Sequence, residues 1–371
     1  MHKLVMNAGS STLKVSVFDG DQTVYKAQID QTPTKITDAQ WNALFQEIRD
    51  NSGDFDVVLH RVVQGGWIFD GPRIVTPEVI EDIRSLTPLA PLHQPPTIAT
   101  LERTTELLPG VIQTVHFDSA FHQTMPEEAH TYAVPERWRT EFKVRRYGAH
   151  GLAHAYNARK AAEVLGRDLG SLKVVSAHLG SGASLCAVNG GISVDTTMGI
   201  TPLEGLVMGS RSGNIDPEII PWVMKQTGAS LDEVMYALEF ESGLIGLAGD
   251  NHMGHIMDRY REGDERAVLA VTVWLHRTAS LIASMAAAMN GVDAIAVSGG
   301  VGENAVDVRE LLAERLAFLG VALDADRNAV NVPDSVISSD DSSVAMLMVQ
   351  TREDLTMLRE ARELLGAVPV F

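Results

Sequence analysis

The most constraining feature of the chain is an internal repeat. Asn7-Ala8-Gly9-Ser10 recurs as His178-Leu179-Gly180-Ser181, an offset of 178 − 7 = 171 residues, and in the same gapless register Val17 falls on Val188 and Gly20 on Gly191. Both copies read as apolar strand, glycine turn, strand, glycine turn. Two unrelated hairpins could share so few positions by chance. The reading with more consequence is a duplicated domain, each copy carrying a turn whose backbone a phosphate can approach.

A chain of 371 residues also exceeds what one hydrophobic core usually fills, so two domains with a cleft between them are expected. Lys3–Gly20 alternates apolar and polar residues about a Gly-Ser-Ser-Thr turn, the pattern of a β-hairpin. Pro77–Leu86, Pro96–Leu108 and Gly151–Leu165 have helical spacing, whereas Val57–Val63, Ile112–Phe117 and Val174–Ala177 read as short buried strands. Near the end, Val344–Val349 reads as a strand and Leu355, Leu358, Ala361 and Leu364 as one face of a helix. Alternating strands and helices predict an α/β architecture.

Composition narrows the function classes. Apolar residues make up 45% and charged residues 21%, as in globular proteins, and no run of about 18 uncharged apolar residues could span a bilayer. The apolar run at Met1–Met6 is too short for a signal peptide, so a cytoplasmic location is expected. Cys186, the single cysteine, cannot form an intramolecular disulfide. A formal charge of −18 repels nucleic acid and anionic lipid, and neither is an expected partner.

Several short segments can carry chemistry. Gly9-Ser10-Ser11-Thr12 with Lys14 offers backbone N–H groups, hydroxyls and a cation in one turn, although an ordinary Gly-Ser hairpin has the same residues. It lacks the spacing and the following helix of a Walker P-loop. His178-Leu179-Gly180-Ser181-Gly182 and Gly299-Gly300-Val301-Gly302-Glu303-Asn304 are further glycine turns after apolar strands, a common feature of α/β proteins in any case. Arg61 and Arg211 stand near glycines, where a guanidinium could grip a small anion or simply form a structural ion pair. His150 and His154 lie four apart without the glutamate of a metalloprotease motif, which favours one functional histidine, His150, and one satisfied structural histidine, His154.

Taken together and in order, these motifs resemble the acetate and propionate kinase family of the sugar kinase–actin–heat shock superfamily. The resemblance runs through Val5–Lys14, His60–Gly66, Ala90–His93, Phe117–Pro126, Tyr147–Gly151, His178–Ser184, Gly199–Leu206, Arg211–Pro217, Gly300–Asn304 and Thr351–Leu355. It implies two duplicated actin-like, ribonuclease H-like domains with an active-site cleft between them and a homodimer as the usual assembly. The implied lobes are 1–118 with 355–371 on the acid side and 119–354 for nucleotide binding and dimerisation.

The resemblance further implies a reversible transfer from ATP to acetate, giving acetyl phosphate and ADP, with propionate or another short-chain acid as the alternative acceptor. Arg61 and Arg211 would clamp the carboxylate and the moving phosphoryl group, His150 would donate to its oxygens, and Asp118 would order that group and the Mg²⁺ shell. Asn7 and Glu353 would bind or orient Mg²⁺. Lys14, Ser10 and Thr12, His178–Gly182 and Gly300–Asn304 would hold the nucleotide, with Val63, Leu92, His93, Ala149 and Pro202 around the acid. Replacing either arginine is expected to leave the fold largely intact.

The sequence departs from the family pattern at Gln64, Ser181, Arg352 and Ala149, where His, Asn, Asn and Phe are usual. At Gly249–Ile256 the family's nucleotide-contacting Asp-x-Arg motif is not recognisable. Two other classes compete. A metal-dependent phosphohydrolase would need clustered His and Asp ligands, and a silent ATP-binding module would have lost the arginine or Mg²⁺-binding positions.

Overall fold

The computed structural model describes residues 2–9 and 11–366. The chain divides into two compact units: Met1–Gln123 with Ala149–Leu152 and Arg352–Phe371, and Thr124–Gly148 with Ala153–Thr351. In the first unit β1 (His2–Ala8), β2 (Leu13–Asp19) and β3 (Gln22–Ile29) form an antiparallel meander. Helix α1 (Asp38–Ser52), β4 (Val57–Val62), β5 (Arg73–Ile74), α2 (Pro77–Ser85), α3 (Gln94–Leu107) and β6 (Ile112–Phe117) complete it, and the sheet order is β3-β2-β1-β4-β6-β5.

Alternation sets the two faces of this sheet. Leu4, Met6, Ala8, Leu13, Val15 and Val17 pack with Trp41, Leu44, Phe45 and Ile48 of α1. These four recur at helical spacing, and α1 starts sharply because Thr37 and Gln40 form a capping box. Val5, Val57 and Leu59 face the other way, against Leu152, Met357, Leu358 and Ala361.

The second unit holds α4 (Glu127–His130), α5 (Glu136–Glu141) and most of α6 (Gly151–Leu165), followed by β7 (Lys173–Leu179), β8 (Ala183–Asn189) and β9 (Ile192–Thr196). Helices α7 (Ile219–Thr227), α8 (Leu231–Phe240), α9 (Gly243–Ala248), α10 (Met253–Arg261) and α11 (Glu265–Ala288) precede β10 (Ala294–Ser298). Then come α12 (Gly299–Asn304), α13 (Val306–Arg315), α14 (Ala325–Val330), β11 (Ser335–Val336) and β12 (Ala345–Met348). The last described helix, α15 (Glu353–Gly366), belongs to the first unit. By length and composition alone α11 could cross a membrane. Its Ala267, Ala270, Val271, Trp274, Leu275, Thr278 and Ile282 are nevertheless buried along one stripe of the second unit.

The second sheet runs β11-β12-β10-β7-β8-β9 and repeats the first strand for strand. A meander (β7, β8, β9) joins β10 and then β12 in parallel, and a short antiparallel strand closes the edge. The duplication is therefore structural. The gapless register, however, holds only through the first turn. Ala8 pairs with Leu13 across four residues, whereas Leu179 pairs with Ala183 across three. Val17 and Gly20 thus correspond to Ala187 and Gly190 rather than to Val188 and Gly191.

His60 of β4 is buried on the face away from its neighbour Arg61, and its Nε2 lies 2.8 Å from Gln113 Oε1. Gln113 donates from Nε2 to Thr105 Oγ1, so its oxygen accepts and His60 carries the proton on Nε2. Burial pushes the imidazole down to about 4, with the Gln113 bond opposing and His116 adding to the shift. Between the ordinary value of 6.5 and about 4, the unfolded chain binds a proton that the folded chain refuses, so stability falls as pH falls through that window. From pH 7 to pH 5 this one group should remove about 2 kcal/mol of unfolding free energy. Urea titrations at both pH values should show that loss, and His60→Gln should abolish it; an unchanged pH slope in His60→Gln would contradict the assignment.

Candidate active site

In the first unit one guanidinium organises the site. Arg61 lies at the end of β4, register-paired with His116 of β6, and its chain neighbour Val62 pairs with Phe117. Arg61 Nη2 donates to Asp118 Oδ2 at 2.7 Å and Nε to Asp118 Oδ1 at 3.3 Å, a two-point grip on a fully buried carboxylate. Nη1 donates to Asn7 Oδ1 at 3.3 Å, and Nε lies 3.4 Å from Glu353 Oε2. Burial works against the charge, but Asp118 and Glu353 outweigh it and hold the guanidinium above its ordinary value. The structure thus brings Asn7, Arg61, Asp118 and Glu353 into one cluster.

The turn after β4 is fastened by side chains. Gly65 N–H donates to Ser119 Oγ at 2.8 Å, Gly66 N–H to Gln64 Oε1 at 2.9 Å, and Gln123 Nε2 to the Gly66 carbonyl at 2.7 Å. Gln64, in place of the usual histidine, caps its own turn. Gly66 has φ +54°, and a Cβ there would stand 2.6 Å from Leu86. A second turn carries His150 at φ +55°, a left-handed conformation costly for a side-chain-bearing residue and often associated with sites. Gly151 makes it possible. A Cβ at Gly151 would fall 1.9 Å from the Asp118 carbonyl oxygen, so the turn presses its backbone onto Asp118.

Ala149 is buried, and its carbonyl accepts from His122 Nε2 at 3.0 Å. Val63, Leu92 and His93 are partly buried, and Trp67, the ring nearest in sequence, is half exposed. Lys14 sits exposed on β2, opposite Asn7 in the strand register, and Thr12 accepts from Gly9 N–H through its carbonyl at 2.8 Å. Ser10 lies outside the described residues.

In the second unit the two later glycine turns meet. Gly299, at φ +77°, leaves a Cβ no room: it would stand 2.7–2.9 Å from the backbone of Leu179 and Gly180. Gly209 N–H donates to the Ser181 carbonyl at 2.9 Å. These turns wall a cavity of about 690 Å³ lined by Gly180, Ser181, Gly300, Val301 and Asn304 together with Asn251, His252 and Met253. That volume suits a nucleoside-sized ligand. Gly300–Asn304 is the short helix α12 rather than an open turn.

The other expected nucleotide residues stand differently. Leu179 is a buried strand residue and Gly302 is buried, while His178 Nδ1 lies 3.3 Å from Ser298 Oγ. Gly182 follows Ser181 in the turn, partly buried. The Glu303 carboxylate accepts from Gly299 N–H, Thr351 N–H and Thr351 Oγ1, so it staples its own turn. His154 accepts or donates at both ring nitrogens to Ser176 and Ser184 at 2.8 Å, the satisfied structural histidine expected.

Arg211 is the less compensated of the two arginines. Its Nη1 donates to the Pro202 carbonyl at 3.3 Å, and its only ion pair in the second unit among the described residues, to Glu239, spans 4.0 Å. Burial lowers its pKa, with Glu239 partly opposing. An anion is the group that would offset this charge. Arg309, which the sequence reading missed, is a buried guanidinium that donates to the carbonyls of Gly302 and Glu303 at 2.9 and 3.0 Å and to Asn328 and Asn331. No glycine flanks it, so nothing local in the sequence marks it.

Mg²⁺ takes hard oxygen ligands and is usually held by one or two carboxylates plus substrate phosphates. The oxygens of Asn7 and Glu353 beside Arg61 fit that mode, while Asp118 stands behind them with both oxygens on the guanidinium. Among the described residues no group of three or more His, Cys, Asp or Glu could by itself hold a metal, which is the cluster that the phosphohydrolase reading requires.

The fold is a duplicated α/β architecture, two meander sheets of the same order with glycine turns at their strand ends. The profile described as "Acetokinase family" matches residues 28–359. The chain is 42% identical over 360 residues to the acetate kinase of Natranaerobius thermophilus, covering 97% of this chain and 88% of that one. Among solved structures it is similar to the acetate kinase of Porphyromonas gingivalis, at TM-score 0.92 and 31% identity over 98% and 99% of the two chains. It is also similar to a propionate kinase from Francisella tularensis, at TM-score 0.90 and 33% identity over 97% and 98%. The chain belongs to the acetokinase family, kinases that transfer phosphate from ATP to a carboxylate.

The expectation that both arginines are dispensable for folding is revised by this geometry. Arg61→Ala removes the cation that both oxygens of the buried Asp118 carboxylate face and should cost about 3–5 kcal/mol, whereas Arg211→Ala loses two long hydrogen bonds and a 4.0 Å ion pair and should cost within about 1.5 kcal/mol. Urea unfolding of both variants measures the difference. Equal stabilities would show that Asp118 does not depend on Arg61.

Proposed function

We propose that the chain catalyses the reversible, Mg²⁺-dependent transfer of the γ-phosphoryl group of ATP to acetate, giving acetyl phosphate and ADP. A carboxylate oxygen forms the new P–O bond while the bond to the bridging oxygen of ADP breaks. The carboxylate is already a nucleophile, so no proton need be removed. The task left to the protein is to position two anions and neutralise them.

The observation that carries this reading is the contrast between the arginines. Arg61 is gripped by Asp118 and Asn7 with Glu353 close by and so is fixed in place, while Arg211 has a carbonyl and, as its ion pair in the second unit among the described residues, a carboxylate 4.0 Å away. The first suits a preorganised clamp and the second a cation that an arriving anion completes. In this reading His150 donates to the phosphoryl oxygens, and the Gly151 backbone contact keeps it beside Asp118. Asn7 and Glu353 would hold Mg²⁺, which when bound neutralises charge on the phosphates, and Asp118 orders that group through Arg61. The second-unit cavity takes the nucleoside. There Asn251, His252 and Met253 stand where the family motif is altered, and loose discrimination among purines follows.

A second acceptor is supported by one position. Ala149 replaces a ring with a methyl group, and one extra methylene is worth roughly 0.8 kcal/mol when buried. The likeness to a propionate kinase points the same way. We further propose a cytoplasmic homodimer. The exposed Ile219, Trp222, Leu231, Tyr236 and Phe240 on α7 and α8 form an apolar surface of the kind a second copy covers. Sedimentation that finds a monomer would remove this part of the reading.

Trapping acyl phosphate as hydroxamate, with acetate, propionate and butyrate against ATP, GTP and pyrophosphate, tests the proposal. Acetate and propionate should have kcat/KM values within about tenfold of each other, and Ala149→Phe should favour acetate. ATP and GTP should both serve, ahead of pyrophosphate. Strong rejection of propionate, an unchanged acid preference in Ala149→Phe, or equal use of pyrophosphate would each overturn the corresponding part.

A further inference from the structure

Helix α15 sends two carboxylates to the same pair of strands. Glu353 and Glu360 are seven residues apart, close to two turns, and therefore share one face. Glu353 reaches Arg61 of β4, and Glu360 Oε2 lies 2.7 Å from Nδ1 of His116 on β6. Arg61 and His116 are themselves register partners. Between the two contacts, Thr356 donates from Oγ1 to the Leu152 carbonyl at 3.0 Å, two residues beyond His150. The helix is thus pinned at three heights.

The two carboxylate contacts differ in kind. His116 is fully buried, and its ring is held on both sides, by Glu360 at Nδ1 and by Thr114 Oγ1 at Nε2, 2.9 Å away. Glu353 lies 3.4 Å from Arg61, whose shortest bond, at 2.7 Å, goes to Asp118 instead. Glu353 is therefore held less by its own contact than by the helix that carries it. The firm contact is two turns further on.

We propose that the Glu360–His116 pair is a positioning device: it sets the register of α15 on β6 and so holds the Glu353 carboxylate at Arg61, where the metal-bound nucleotide is handled. The inference rests on the role proposed above for Glu353. Neither Glu360 nor His116 touches the reacting groups. Their effect passes through the helix.

The test uses the full chain with Glu360→Ala, Glu360→Gln, Glu353→Gln and the double variant Glu353→Gln/Glu360→Ala. Two readouts are taken: kcat with separate KM values for acid and for Mg²⁺-nucleotide, and Mn²⁺ affinity in the presence of ADP by electron paramagnetic resonance, which needs no turnover. Glu360→Ala should weaken Mn²⁺ binding and raise the Mg²⁺-nucleotide KM by about tenfold, the usual scale for a partner behind a metal ligand, with the KM for acid unchanged. Glu360→Gln keeps an acceptor for His116 and should recover most of the loss. The double variant should be no worse than Glu353→Gln, because both act through one carboxylate.

Mn²⁺ affinity unchanged in Glu360→Ala would overturn the proposal, as would additive losses in the double variant or KM values that rise together. If Glu353→Gln is impaired while Glu360→Ala binds normally, only the positioning role fails. If Glu353→Gln itself behaves as the native chain, the role of Glu353 fails and the positioning role falls with it.

Discussion

The first unit depends on how one buried positive charge is compensated. Arg61 reaches from the end of a parallel strand to Asp118, which is wholly removed from water and whose buried charge the guanidinium offsets. Both oxygens of Asp118 accept from the guanidinium, Nη1 donates to Asn7, and Glu353 lies beside Nε. Three distant stretches of sequence, the first strand, the turn after β6 and the start of the last helix, are thereby drawn to one point. Because each of its three nitrogens donates to a neighbouring side chain, the guanidinium has little freedom to rearrange, which is what electrostatic preorganisation requires.

Duplication supplies the framework for such sites. Both sheets have the same order and strand directions, and each pairs its first meander strand in parallel with a strand that ends in a glycine turn: β4 before the Gly65–Gly66 turn, and β10 before Gly299. The copies then diverged in what those turns do. In the first, side chains of Ser119, Gln64 and Gln123 fasten the turn, and charge gathers beside it. In the second, backbone lies directly against backbone at Gly299 and Leu179, leaving room for a ligand and exposing peptide groups to it. The one-residue difference between the hairpin turns, four residues against three, belongs to the same divergence.

Much of this was legible in the sequence because it rests on local signals. The meander of β1 and β2 follows from alternation, α3 and α6 from helical spacing, and the glycine turns from glycines clustered after apolar strands. Arg61 was marked by its neighbouring glycines, whereas Asp118, Asn7 and Glu353 were marked only by family resemblance, since residues so far apart in the chain carry no local sign of their meeting. Arg309 escaped notice because its partners are backbone carbonyls and two asparagines, which leave no charge pattern. Glu303 was expected to meet nucleotide, yet its carboxylate is occupied by Thr351 and Gly299, a long-range contact that no spacing reveals. His116 and Glu360 lie 360 − 116 = 244 positions apart and were equally invisible.

The central claim is that a carboxylate oxygen attacks phosphorus and that the protein only positions and neutralises the partners. Acetate labelled with ¹⁸O in both oxygens, incubated with the chain, ATP and Mg²⁺ and followed by ³¹P nuclear magnetic resonance, tests it most directly. The account predicts an acetyl phosphate signal carrying the isotope shift of a bridging ¹⁸O. Release of unlabelled inorganic phosphate at a rate indifferent to acetate, with no acyl phosphate signal, would contradict it.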